Sequence, residues 1–266
     1  MALKDGTGAK AGLGKSASSF PTPTSPPVAA DASQGSPPPG SGGPEFRLDA
    51  SLSEDGALHL LKRADLPPDV LEQLSKIGEL LKYRKVKLAL VEHPKTPRHV
   101  SLPLIRQLYT FDLMQVALTP VVPADVKRAA DETLSHRLET LASGERLTLA
   151  HRGSGRIAEA LLADADARVM QAALQNARLT EASVVRMLTR PDARVAFVDA
   201  VAHHPQWSLR REVRVALLRN EKTPKARAVE FARGLPPGLL REILQTSRLP
   251  AKMKEYLLAE IGKRSG

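Results

Sequence analysis

"RKVKLALVEHPKTPRH" at residues 84–99 and "REVRVALLRNEKTPKA" at residues 211–226 are close to the same phrase, written 127 residues apart. In each, apolar residues recur every three or four positions and then stop at Lys-Thr-Pro, which is the pattern of a short amphipathic helix and its terminus. Extended without a gap, 84–134 runs against 211–261 with 14 of 51 positions identical. A shared helical period would match apolar positions only. Here Lys95/Lys222, Thr96/Thr223, Pro97/Pro224, Pro123/Pro250 and Lys127/Lys254 match as well. The sequence therefore predicts the duplication of a helical module of about 50 residues.

The texture around the two copies is helical. "PPDVLEQLSKIGELLKY" (67–83) predicts one helix, with Val70, Leu71, Leu74, Ile77, Leu80 and Leu81 on a common face. "EASVVRMLTR" (181–190) and "ARVAFVDAVAHH" (193–204) behave alike, and no alternating strand pattern occurs. Breaks at "LTPVVPAD" (118–125), "AHRGSGR" (150–156), "LQNARLTEA" (174–182), "AHHPQWS" (202–208) and "TSRLPAK" (246–252) recur irregularly, about every 25 residues. Short helices at such spacing cannot bury their apolar faces alone, so the expected fold is an all-α solenoid of stacked units. Thr96-Pro97 and Thr223-Pro224 are expected to start helices, the hydroxyl as N-cap and the proline at the first helical position. Trp207, the sole tryptophan, is expected to plug the core.

Phrases such as "VALLRNEKTPKARAVEFA" and "LALVEHPKTPRHVSLPLI" resemble bacterial leucine-rich-repeat-variant and HEAT-like α-solenoids. "DARVMQAALQNARLT" (166–180) and "DARVAFVDAVAHHPQ" (192–206) resemble them more loosely, and the likeness covers about residues 65–262. The resemblance implies an architecture that presents binding surfaces, with no single chemistry attached. HEAT-like alkylpurine DNA glycosylases use such a fold on duplex DNA, but no residue pattern here matches their catalytic pocket.

Three segments follow from composition. Residues 1–45 hold eight prolines, eight glycines and seven serines; such a segment buries too little apolar surface to offset chain entropy, which predicts a disordered tail. Within it, "AKAGLGKS" (9–16) fits a relaxed phosphate-loop pattern, but lacks the strand before and the helix after that such a loop requires. Residues 46–64 read as a linker or a partly ordered entry segment, and 65–266 as the helical-repeat domain. The chain has no cysteine, no 18-residue apolar run and no signal-peptide core at its start, so the expectation is a cytoplasmic protein without a membrane span.

The net charge is +10, and the segments 82–106 (+6) and 210–233 (+5) account for all of it. Five basic positions recur in both copies: Arg84/Arg211, Lys87/Arg214, Lys95/Lys222, Arg98/Lys225 and Arg106/Arg233. These ten residues are the candidate interaction surface, able to attract an acidic protein partner or phosphates. Aromatic residues make up 3% of the chain, too few for base-stacking platforms, so nucleic-acid binding would run through the phosphate backbone. No catalytic, cofactor or metal residue is assigned. His203 and His204 are adjacent and diverge on a helix, and His93 aligns with Asn220 at a helix end, which points to capping. Asp164, Asp166, Asp192 and Asp199 are read as helix-turn residues. The expected function is a non-enzymatic scaffold or protein-interaction module. Non-specific nucleic-acid binding is the alternative, and a HEAT-like glycosylase or lyase the third reading.

Overall fold

A computed structural model describes residues 52–262; the proline-rich tail and its phosphate-loop-like segment lie outside the described residues. The described chain is all-helical, with no strand. Its helices are α1 (Glu54–Leu61), α2 (Pro68–Lys76), α3 (Arg84–Glu92), α4 (Arg98–Ile105), α5 (Thr110–Leu118), α6 (Ala124–Arg137), α7 (Ser143–Arg152) and α8 (Gly155–Leu161). There follow α9 (Ala167–Leu174), α10 (Glu181–Thr189), α11 (Val195–His203), α12 (Arg211–Arg219), α13 (Lys225–Arg233), α14 (Pro237–Gln245) and α15 (Ala251–Gly262). Single 3₁₀ turns precede α3 at Leu80–Lys82 and α12 at Trp207–Leu209.

The duplication is longer than the sequence alignment suggests. Every element from α1 to α6, including the 3₁₀ turn, begins 127 residues before its counterpart among α10 to α15. The equivalence therefore spans 54–134 and 181–261, with α7, α8 and α9 as a three-helix spacer. Packing repeats too: α1 on α3 and α3 on α5 correspond to α10 on α12 and α12 on α14, and α4 on α6 corresponds to α13 on α15. Helices pack both on their immediate neighbours, most extensively α5 on α6, and on the next but one. The even-numbered series runs unbroken from α4 to α14, whereas the odd-numbered series loosens between α5 and α7 and between α11 and α13. Because the spacer holds an odd number of helices, α10, α12 and α14 belong to the even series while their counterparts α1, α3 and α5 belong to the odd one.

One apolar core threads all of this, with Val86, Leu90 and Leu113 of the first copy and Val213, Leu217 and Leu240 of the second each completely buried. Trp207 is 3% exposed and donates its indole N–H to the Leu174 carbonyl at 2.8 Å. Its counterpart Leu80 is 1% exposed and fills the same slot with no polar atom.

Three sequence expectations change. The helix expected over 67–83 ends at Ile77, after which Gly78 and a 3₁₀ turn redirect the chain; glycine is a poor helix interior residue. Within residues 46–64, read as a linker or a partly ordered entry segment, lies α1. Its periodic signal is weak because only Ala57 and Leu61 are buried, but Ser53 caps it by accepting from Gly56 N–H at 3.2 Å. The threonines of Thr96-Pro97 and Thr223-Pro224 do not cap the helices that follow. Each donates backwards, to Leu90 O and Leu217 O at 2.6 Å, and the N-cap positions are Pro97 and Pro224. Both threonines are buried beneath the turn, where the nearest orphan group is a C-terminal carbonyl of the preceding helix.

The turns share a second device. His93, Asn176, Asn220 and Ser247 are buried at matching positions. Each accepts the backbone N–H two residues on: Lys95, Arg178, Lys222 and Leu249, at 3.2, 2.8, 2.9 and 3.0 Å. Each also bonds a carbonyl of the preceding layer: Arg63, Ala150, Leu188 and Leu218, at 3.0, 2.7, 2.7 and 2.7 Å. The acceptor role of His93 Nδ1 places the ring proton on Nε2. Three side-chain types thus meet one requirement, since an unpaired buried carbonyl would cost about 1–3 kcal/mol. At Gly155 the same stacking brings the Arg178 carbonyl to within 2.4 Å of where a Cβ would stand, so only glycine fits there.

Candidate functional site

Seven of the ten basic positions have partners within the fold. Arg84, at the start of α3, makes a two-pronged pair with the buried Asp112 of α5 at 2.7 and 2.8 Å and lies over the Tyr109 ring. Arg98 pairs with Asp125 of α6, and Arg233 with Glu260 of α15. Arg214 donates to Ser208 O, and Lys222 to Ala193 O at 2.7 Å, each covering carbonyls with a cation. Lys225 sits over the Tyr256 ring, 4.5 Å from its centre, and Lys87 reaches Gln107. Lys95, Arg106 and Arg211 are exposed and make no ion pair among the described residues. The basic residues that travelled with the duplication are thus largely committed to holding adjacent helices.

Charge partners are not conserved between the copies. Asp112 and Asp125 correspond to Leu239 and Lys252, so the acids that neutralise Arg84 and Arg98 have no equivalent beside Arg211 and Lys225. The first copy carries twelve basic and eleven acidic residues over 54–134; the second carries fifteen and nine over 181–261.

The carboxylates expected at helix turns split into different roles. Asp166 caps α9, accepting from Arg168 N–H at 2.9 Å; Arg168 and then Ser143 hold its carboxyl far below the usual range. Asp164 binds Arg146 and the Asp166 amide, and Asp192 pairs with Arg190. Asp199 instead lies inside α11, beside His203. Glu159 on α8 takes Arg186 and Ser183 of α10, and Arg186 first, then Ser183, lowers its carboxyl. Burial pushes the Asp131 carboxyl up, opposed by the hydroxyl of Ser154 at 2.7 Å. Asp131, Asp164 and Glu159 are satisfied from a neighbouring helix, and Asp166, Asp192 and Asp199 chiefly from their own turn or helix.

Open surface lies elsewhere. A groove of about 610 Å³ runs between α1 and α3, with Leu58, Ala89 and Val121 as its apolar wall. A hollow of about 640 Å³ lies between α5 and α7, lined by Phe111, Met114 and Leu118. A third, of about 460 Å³, lies between α9 and α11, lined by Met170, Leu174 and Ala200. All three fall between successive helices of the odd-numbered series. Val121 is 63% and Phe111 40% exposed, and Tyr109, just before α5, is 64% exposed. A further hollow, about 450 Å³ at Ser135, Ala160 and Ala165, is bordered by the Arg146–Asp164 pair and is more polar.

Sequence reasoning passed over these residues because a helix's apolar stripe does not say which of its members a neighbour leaves uncovered. Val121 gave the one usable signal, an apolar residue in a turn between Pro120 and Pro123. No helix among the described residues is long and apolar enough to cross a membrane. No protein-family model, no curated protein and no solved structure matches the chain.

Proposed function

We propose that this chain is a protein-binding module of the HEAT-like or leucine-rich-repeat-variant α-solenoid type, and that it acts as a scaffold without catalysis. The observation that carries the reading is the line of three apolar hollows along the odd-numbered helices. The three hollows are separate, and each is partly walled by apolar side chains between neighbouring helices, a shape that suits individual side chains of a protein ligand. The basic segments enter this reading as structural elements, with Lys95, Arg106 and Arg211 as its available cations. Phosphate-backbone binding is disfavoured because seven of the ten duplicated basic residues already have intramolecular partners.

Photo-crosslinking in the source cell tests this. A benzophenone side chain placed at Leu58, Phe111 or Ala200 is expected to yield a discrete protein adduct. Placed at Arg128 of α6 or Arg241 of α14, it is expected to yield none. Equal adducts at all five positions, or none at the first three, would overturn the reading.

A further inference from the structure

The two copies differ at one place in a way that identifies a ligand. The groove between α1 and α3 has a structural counterpart between α10 and α12, and there it is filled from within. Val121, Lys62 and Glu92 of the open groove correspond to Arg248, Thr189 and Arg219. Arg248 extends across its groove and donates its guanidinium to the Thr189 carbonyl at 3.0 Å, while its backbone N–H binds the Arg219 carbonyl at 3.0 Å. The first copy keeps the matching acceptor, the Lys62 carbonyl at the C-terminus of α1, but Val121 is too short and apolar to reach it. From this internal template we propose that the α1–α3 groove binds an arginine side chain of a protein partner, a statement that rests on the protein-binding reading above.

The electrostatics of the groove fit that occupant. α1 and α3 end side by side, as the bond from His93 to the Arg63 carbonyl shows, so two negative helix ends meet there. Glu92 lies at this end, where the second copy has Arg219, and no cation pairs with it among the described residues; its carboxylate accepts from the Thr119 hydroxyl at 3.0 Å. Lys62 opposes this with its own ammonium, on an exposed stem that can swing away. The other charged lining residues, Asp55 and Lys85, sit near the starts of α1 and α3 and balance each other. Lys85 is about 10 Å from Glu92 along α3 at 1.5 Å rise per residue. An arginine stem would lie on Leu58, Ala89 and Val121, with its planar fork shared between the Glu92 carboxylate and the Lys62 carbonyl. Lysine, a point charge with a compact hydration shell, satisfies that pair of acceptors less well.

The test uses the full chain, ¹⁵N-labelled, titrated with N-acetyl-arginine methylamide and, separately, with the norleucine and lysine analogues. The arginine probe is expected to shift the amides of Leu58, Ala89, Glu92 and Val121. Norleucine should give no shifts and lysine several-fold weaker binding. Val121→Arg copies Arg248 and should close the groove, weakening the probe by about tenfold or more, since its site is then occupied in cis. Arg248→Val leaves Arg219 where the first copy has Glu92, so it should open no comparable arginine site at Val185 and Ala216. Glu92→Gln should weaken the arginine probe several-fold. An unshifted wild-type spectrum, equal binding of norleucine, or full binding by a folded Val121→Arg protein would each overturn the proposal. Adducts at Leu58 in the crosslinking experiment would survive any of these results, because they require a partner at the groove and not an arginine within it.

Discussion

The two copies are built to the same frame and finished differently. α1–α6 and α10–α15 share start positions, turn devices and buried slots, yet the first copy neutralises Arg84 and Arg98 with Asp112 and Asp125 and keeps an open groove. The second copy drops those acids and fills the equivalent groove with Arg248. What the copies share is what stacking demands: a covered carbonyl at each turn and a filled core slot. What separates them lies on surfaces that stacking leaves alone, which is where a difference in binding can arise without loss of the fold.

The comparison can be broken by four sets of substitutions. The largest effect is expected at the paired core slot before α3 and α12. Trp207→Ala should cost about 4 kcal/mol in urea denaturation and Leu80→Ala about 3, the excess reflecting the larger side chain removed together with the Leu174 carbonyl left unpaired. Equal costs would mean that the larger indole and its hydrogen bond add nothing over leucine. Next, Arg84→Ala strands the Asp112 carboxylate, 5% exposed, and should cost about 2 kcal/mol. Arg211→Ala, with no partner to strand, should stay within about 0.5 kcal/mol. A shared device should respond equally, so Thr96→Val and Thr223→Val are each expected to cost about 1 kcal/mol.

The smallest effect is pH-dependent and belongs to the first copy alone. Asp131 corresponds to Leu258, which is 41% exposed. Burial raises the Asp131 carboxyl, so the folded chain holds that proton more tightly than the unfolded chain does. Stability should therefore fall as pH rises from the ordinary carboxylate value through the raised one. Asp131→Asn keeps an acceptor for Ser154 and should raise the melting temperature slightly at neutral pH, with no gain in acid. Glu159 has the opposite sign: its lowered carboxyl supports the fold at neutral pH and loses that support as pH falls, a sensitivity that Glu159→Gln should abolish.

How legible all this was depended on which residues recorded it. The module boundary at Arg84 was readable because Lys-Thr-Pro and the basic positions kept their identity. The half over 54–83 and 181–210 was not. Only Glu54/Glu181, Leu61/Leu188, Arg63/Arg190 and Asp65/Asp192 are identical there. Buried slots in that half exchanged shape while keeping burial: Val70 for Phe197, Leu80 for Trp207. Such swaps preserve packing and erase identity. The Thr-Pro turns were legible as turns, but the direction of the hydroxyl bond depends on which carbonyl lies beneath it. The groove was invisible for a related reason, since it is defined by what Val121 fails to fill.

The three-helix spacer carries a consequence for valency. Had α7–α9 been two helices or four, the copies would repeat in the same series and could grip one extended ligand at two equivalent points. With three, equivalent positions fall on alternate series. A single rigid ligand cannot then dock identically on both. Two ligands that each recognise the shared frame would instead meet helices of opposite series, so the duplication would add reach and not avidity.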